Sequence, residues 1–91
     1  MWSVYVVRCA DDTLYCGIAR NVAARMAQHE AGKGAKYTRG RGPLTLVLER
    51  RCRAQGTALR LEHAIKQLTR AEKQQLDRRL VEKLARRIAR R

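Results

Sequence analysis

Residues 2 to 18 hold two short apolar runs, WSVYVVR and TLYCGI, separated by a brief polar step that ends in Asp11-Asp12. β-Branched and aromatic residues crowd both runs, and the step between them is long enough only for a reversal, so the pair reads as a β-hairpin. Its register constrains the fold more than any other feature. Side chains alternate faces along a strand, and a slip of one residue sends a whole run to the opposite side. Tyr5 and Tyr15 share a face only when paired residue numbers sum to an even value. A two-residue Asp11-Asp12 turn pairs Ala10 with Thr13 and separates the tyrosines. A three-residue loop, Ala10 to Asp12, pairs Cys9 with Thr13, sets Val7 opposite Tyr15 and leaves Tyr5 diagonal to it on the same side. Such loops usually end in a left-handed residue, a conformation that aspartate tolerates better than most. The expectation is the three-residue form with Asp12 left-handed.

Residues 44 to 50, LTLVLER, read as a third strand. Before it, Asn21 is placed to cap a helix over 22 to 31, in which Val22, Met26 and His29 recur at helical spacing with Arg25 beside them. Residues 32 to 43, GKGAKYTRGRGP, hold four of the six glycines, the only proline, four basic residues and no acid, which makes a basic loop. From 54 to 68, Ala58, Leu61, Ile65 and Leu68 mark a helix with one buried stripe. Thr69-Arg70-Ala71-Glu72 has the form of a capping box, opening one further helix with Leu76, Leu80, Leu84 and Ile88 at every fourth position. The expected class is α+β: a small three-stranded antiparallel sheet flanked by helices, in the order β-β-α-β-α-α. A chain of 91 residues makes one such domain, 1 to 91, with 77 to 91 a basic terminal helical extension. At this size about 60 to 65% of the unfolded surface is buried, which suffices for one core.

Twenty-one Lys and Arg against eight Asp and Glu leave a net charge of +13, a field that attracts polyanions before any specific contact forms. The implied partner is nucleic acid, DNA ahead of RNA; a ribosomal or RNA-associated role rests on the charge alone. There is no apolar run of about 18 residues and no apolar signal region, so the expectation is no membrane partner and a cytoplasmic location, free or at the nucleoid. The last sixteen residues, LDRRLVEKLARRIARR, carry seven basic and two acidic groups. They read as an amphipathic helix packed by its leucines, with an arginine face that is either solvated or laid on a DNA backbone. Cys9, Cys16 and Cys52 are odd in number and lack CxxC spacing, and so read as reduced core residues.

Cutting a phosphodiester needs an activated water, positive charge at the phosphorus and help for the leaving oxygen. Most acids are placed for something else, with Asp11 and Asp12 in the turn, Glu72 in the capping box, Glu30 at a helix end, Glu49 near a strand end, and Asp77 and Glu82 among arginines. Glu62 sits at the margin of its helix's buried stripe, either as a surface charge or as a ligand. One such carboxylate suits one Mg²⁺ that keeps several waters and meets the phosphate, and argues against two metals. Arg25 and His29, four apart, share a helix face. They are either a structural arginine and a satisfied histidine, or a guanidinium that grips a phosphate with an imidazole beside it.

The ordered set Ser3-Val4-Tyr5, Tyr15-Cys16-Gly17, Arg25 with His29 and then Glu62 on a following helix resembles the GIY-YIG nuclease domain, in its small stand-alone bacterial type. The tyrosines are 10 apart, Arg25 follows Tyr15 by 10 and Glu62 follows Arg25 by 37. The resemblance covers residues 2 to 76. It implies a DNA endonuclease using one divalent cation, Mg²⁺ or Mn²⁺. The tyrosine matching Tyr5 or Tyr15 would activate the attacking water, and the arginine matching Arg25 would stabilise the phosphorane charge. His29 would stand beside them, and the glutamate matching Glu62 would hold the cation. The alternative is a nucleic-acid-binding module that keeps the scaffold without useful turnover. Lys33, Lys36, Tyr37, Arg39, Arg41 and Lys66 are the candidate nucleic-acid contacts. Ser3 replaces the first motif's glycine and Cys16 the second motif's isoleucine, both at positions expected to be packed strand. Ile18 stands where some members carry a lysine, and the late asparagine of some homing-type members is absent; Lys36, Tyr37 and Lys66 are the candidate replacements. Tyrosine is an unusual base, with an ordinary pKa near ~10. A nearby cation and arginine would have to lower it, or water on the cation would supply the nucleophile. Which tyrosine is the base stays open. With no dedicated groove-reading element, little sequence preference is expected.

Overall fold

Strand pairing in the computed structural model, which describes residues 1–33, 40 and 42–89, confirms the α+β sheet. The elements are β1 (Trp2–Arg8), β2 (Leu14–Ala19), α1 (Val22–Glu30), β3 (Thr45–Cys52), α2 (Gln55–Lys66), α3 (Arg70–Gln74) and α4 (Arg78–Ala89). Among the described residues all pairing is antiparallel in the order β2-β1-β3, so β1 is central and β2 is an edge. Ser3 to Val7 of β1 are accordingly buried on both faces.

The hairpin has the three-residue loop. Cys9 N–H donates to the Thr13 carbonyl at 2.8 Å, Asp12 N–H donates to the Cys9 carbonyl at 2.9 Å, and Asp12 is left-handed at φ 66°. Val7 stands opposite Tyr15 and Tyr5 opposite Gly17. On the other side of β1 the ladder shifts, since Val6 pairs with Leu48 but Val7 with Leu46; Val47 is the extra residue of a bulge.

Alternation along the strands creates two cores. Val4, Val6 and Cys16 face α2 and α4, where Leu48, Cys52, Ala58, Leu61, Ile65, Val81 and Leu84 complete the larger cluster. Burying a side chain such as Leu61 or Ile65 contributes about 1.5–3 kcal/mol, which makes this layer the main source of stability. Tyr5 and Val7 face the other way, toward Ala19, Val22, Tyr15 and Met26. There α1 starts at Asn21, whose side-chain oxygen accepts from Ala24 N–H at 3.0 Å, satisfying one of the helix's unpaired donors.

One expectation is corrected. The capping box at Thr69 forms: Thr69 Oγ1 accepts from Glu72 N–H at 3.1 Å, and Glu72 Oε1 accepts from Thr69 N–H at 2.9 Å. The helix it opens nevertheless stops at Gln74, and a second begins at Arg78, where the Asp77 carboxylate accepts from Leu80 N–H at 2.9 Å. Asp77 is thus an N-cap, and the observed order is β-β-α-β-α-α-α. Leu76, Leu80, Leu84 and Ile88 all still pack on the larger core, so the leucine repeat runs through the break without marking it. Arg50 fixes α4 to β3 with a two-point grip on Glu82, Nε to Oε1 at 3.0 Å and Nη2 to Oε2 at 3.4 Å. Among the described residues no helix is long and apolar enough to cross a membrane.

Candidate active site

The site is built around Tyr5. Its ring lies against Gly17 across the strand pair: a Cβ at position 17 would stand 2.7 Å from the Tyr5 hydroxyl and 2.8 Å from Cζ. Glycine is needed here for close approach, since no other residue leaves room for the ring. The Tyr5 hydroxyl pairs with His29 Nε2 at 2.8 Å, and the two residues are only 1% and 2% exposed. Tyr15, half-buried on edge strand β2, closes a triangle of rings. Its centroid lies 6.4 Å from that of Tyr5 and 5.5 Å from that of His29, edge-on to the imidazole, with Tyr5 and His29 at 6.0 Å. These are separations at which ring quadrupoles attract, so the three side chains hold one another.

Arg25, one turn before His29, supplies the charge. Burial pushes the Tyr5 phenol above its ordinary value, against the pull of the Arg25 guanidinium. Burial also pushes His29 down, and the Arg25 charge adds to that effect. The imidazole is therefore neutral at pH 7 and the phenol protonated, while the guanidinium is always a cation. Arg25 is half-buried and donates through Nη1 to Gln28 Oε1 at 2.8 Å.

Glu62 approaches from the other face of the sheet. Cys16 follows Tyr15 on β2 and so points the opposite way, toward α2. Burial, and then the Glu62 carboxylate, push its thiol up to about 12. Cys16 is thus an inert core residue, and Glu62 lies close to β2 on the side away from Tyr15. Its carboxylate is 3.8 Å from Lys66 Nζ, one helical turn on. The structure brings Tyr5, Tyr15, Arg25 and His29 together on the α1 side and sets Glu62 and Lys66 on the α2 side, across the edge strand. Lys33 is exposed just beyond α1, its N–H donating to the Gln28 carbonyl at 2.9 Å. Lys36, Tyr37, Arg39 and Arg41 lie outside the described residues.

Comparison with known proteins shows the chain's family. The family described as the GIY-YIG catalytic domain matches residues 1–75. The chain belongs to the GIY-YIG family. A UPF0213 protein of Natronomonas pharaonis is 53% identical over 73 residues, covering 80% of this chain and 86% of the relative. A UPF0213 protein of Cronobacter sakazakii is 52% identical over 75 residues, covering 82% of this chain and 79% of that one. The solution NMR structure of a UPF0213 protein from Bacillus halodurans shares 42% identity and superposes with a TM-score of 0.54, over 82% of this chain and 81% of that chain. The GIY-YIG match takes in the whole tyrosine cluster and Glu62 and ends before α4.

The GIY-YIG catalytic domain is that of a nuclease family, and the donor set among the described residues can be weighed against a divalent cation. Among the described residues no three His, Cys, Asp or Glu side chains gather to cage a metal. Glu62 offers a single carboxylate, which suits Mg²⁺ or Mn²⁺ retaining most of its water. Sequence reasoning placed Gly17 in the second GIY-YIG motif but missed its role as the floor beneath the Tyr5 ring. The signal was present: the expected register already sets Gly17 opposite Tyr5, and a tyrosine facing a glycine across two strands lies over it.

Proposed function

We propose that the protein is a divalent-metal-dependent endonuclease that hydrolyses DNA phosphodiester bonds. The observation that carries this reading is the grouping of Tyr5, Tyr15, His29 and Arg25 beside edge strand β2. Tyr5 and His29 are buried, so their part is to hold the site's geometry. Burial also raises the Tyr5 pKa, whereas a base would need it lowered. Tyr15 and Arg25, both half-buried, are the groups placed to meet substrate. Tyr15 orients the attacking water through a hydrogen bond to its hydroxyl oxygen, and Arg25 grips the phosphate and balances the charge that develops on it. A cation held by Glu62 would supply Lewis-acid charge at the phosphate. Among the described residues β2 has no strand on its outer side, so a backbone drawn over that edge meets Tyr15 from one face and Glu62 from the other.

The test is cleavage of duplex, single-stranded and branched DNA by the purified protein, with Mg²⁺, with Mn²⁺ and with chelator. Metal-dependent product is expected, with Arg25→Ala and Glu62→Ala each slower by on the order of 100-fold or more, and DNA binding retained. Equal product from wild type and Glu62→Ala would sink the nuclease reading. Binding without any cleavage would leave a nucleic-acid-binding module.

A further inference from the structure

Helix α4 lies beyond the residues matched by the GIY-YIG domain, yet it is packed into the fold and strongly basic. Over Arg78–Ala89 it carries Arg78, Arg79, Lys83, Arg86 and Arg87 against one acid, Glu82. On a helical wheel Arg79, Lys83 and Arg86 fall within about 60° of one another, roughly opposite Val81 and Leu84. Val81 and Leu84 are buried in the larger core, so the three cations point outward and are exposed. They line a groove between α3 and α4 together with Glu72, Gln75, Asp77 and Leu80.

The nearby carboxylates each accept a hydrogen bond from another group, although the Arg86 charge also acts on Glu82. Glu72 accepts from Thr69 N–H at 2.9 Å, Asp77 from Leu80 N–H at 2.9 Å and Glu82 from Arg50 at 3.0 Å. Among the described residues Arg79, Lys83 and Arg86 form no ion pair within 4.0 Å. The apolar side of the helix is also in use: Leu80, Ala85 and Ile88 pack on the core beside Val81 and Leu84. A basic amphipathic helix binds a membrane by burying that apolar side, which α4 does not have to offer. What remains is a row of charge about 10 Å long, the distance over which B-DNA presents several phosphates.

We infer that Arg79, Lys83 and Arg86 form a second nucleic-acid surface, one that binds the backbone of duplex DNA without reading its sequence. It lies on the α2 side of the sheet, whereas the tyrosine cluster lies on the α1 side. The inference does not rest on the nuclease reading, because binding can be measured with cleavage switched off.

The experiment is fluorescence anisotropy of the full chain with a labelled DNA duplex, in chelator, over a salt series. Replacing Arg79, Lys83 and Arg86 together by Gln keeps helix propensity and removes three charges. Affinity at ~0.1 M salt is expected to fall at least about tenfold, and the slope of log affinity against log salt to shrink by about 3. Each single change, Arg79→Gln, Lys83→Gln or Arg86→Gln, should remove about one unit of slope, which keeps the test sound should the triple variant misfold. Arg79→Lys with Arg86→Lys should keep the wild-type slope. The control removes equal charge elsewhere, as Arg51→Gln, Arg53→Gln and Arg60→Gln. Equal losses in the two triple variants would overturn the inference, reducing the effect to net charge. So would a tighter, equally α4-dependent grip on double-stranded RNA, or α4-dependent binding to anionic vesicles with DNA affinity unchanged.

Discussion

A methyl group on Gly17 has nowhere to go. The atoms it meets belong to a tyrosine pinned at its far end by His29, so the ring has no free direction in which to yield. Gly17→Ala is expected to cost about 1–3 kcal/mol in urea denaturation and to lower cleavage with it, as overpacking does in a closed core. An unchanged midpoint would show that Tyr5 swings aside freely. His29 yields a pH signature. Its folded pKa is depressed below 6.5, so on acidification the unfolded chain takes up a proton before the folded one does. The contribution of this group is fully present above about pH 6.5 and is lost as pH falls toward the lower folded value, with a slope of at most about 1.4 kcal/mol per pH unit. Stability measured between pH 7 and pH 5 should therefore fall more steeply for wild type than for His29→Gln. Parallel curves would mean that His29 titrates alike in both states.

At the level of elements, the hairpin loop and the α3–α4 break show what a sequence discloses. The loop was legible because strand parity is arithmetic: only an odd loop puts Tyr5 and Tyr15 on one face, and aspartate fits the left-handed position that loop requires. Asp12→Gly should leave the melting temperature level or raise it, while Asp12→Val should cost about 1–2 kcal/mol, because a β-branched side chain strains at φ 66°. The break was not legible, since the leucine repeat that identified the helix continues through Gln75 to Asp77 and serves two helices equally well. Asp77 looked like one charge among arginines, and its capping role depends on a backbone N–H three residues on. Asp77→Ala should lower stability by about 1 kcal/mol, as loss of an N-cap does. The position of Glu62 was illegible for a related reason. A helical wheel orients a side chain about its own helix and says nothing of which face of the sheet that helix covers.

The whole molecule is dominated by like charge. Its 21 cations and 8 anions sit in a body with a radius of gyration of 12.7 Å. In dilute buffer of ~0.01 M the screening length is about 30 Å, so each charge acts on every other across the fold. At ~0.15 M it falls to about 8 Å, and only neighbours interact. The attractive pairs that salt would weaken are local, such as Arg50–Glu82 and the 3.8 Å contact of Lys66 with Glu62, whereas the net repulsion is spread over the whole body. Repulsion therefore loses more than attraction does when salt is added. Raising salt from ~0.01 to ~0.15 M is expected to stabilise the free protein by on the order of 1 kcal/mol, read as a rise in Tm of about 4–8 °C. The same salt step should weaken DNA binding, because counterions released from the duplex oppose association. Two signals of opposite sign in one titration, Tm rising while affinity falls, identify charge as the common cause. A Tm that falls with salt would instead show that local ion pairs hold this fold together.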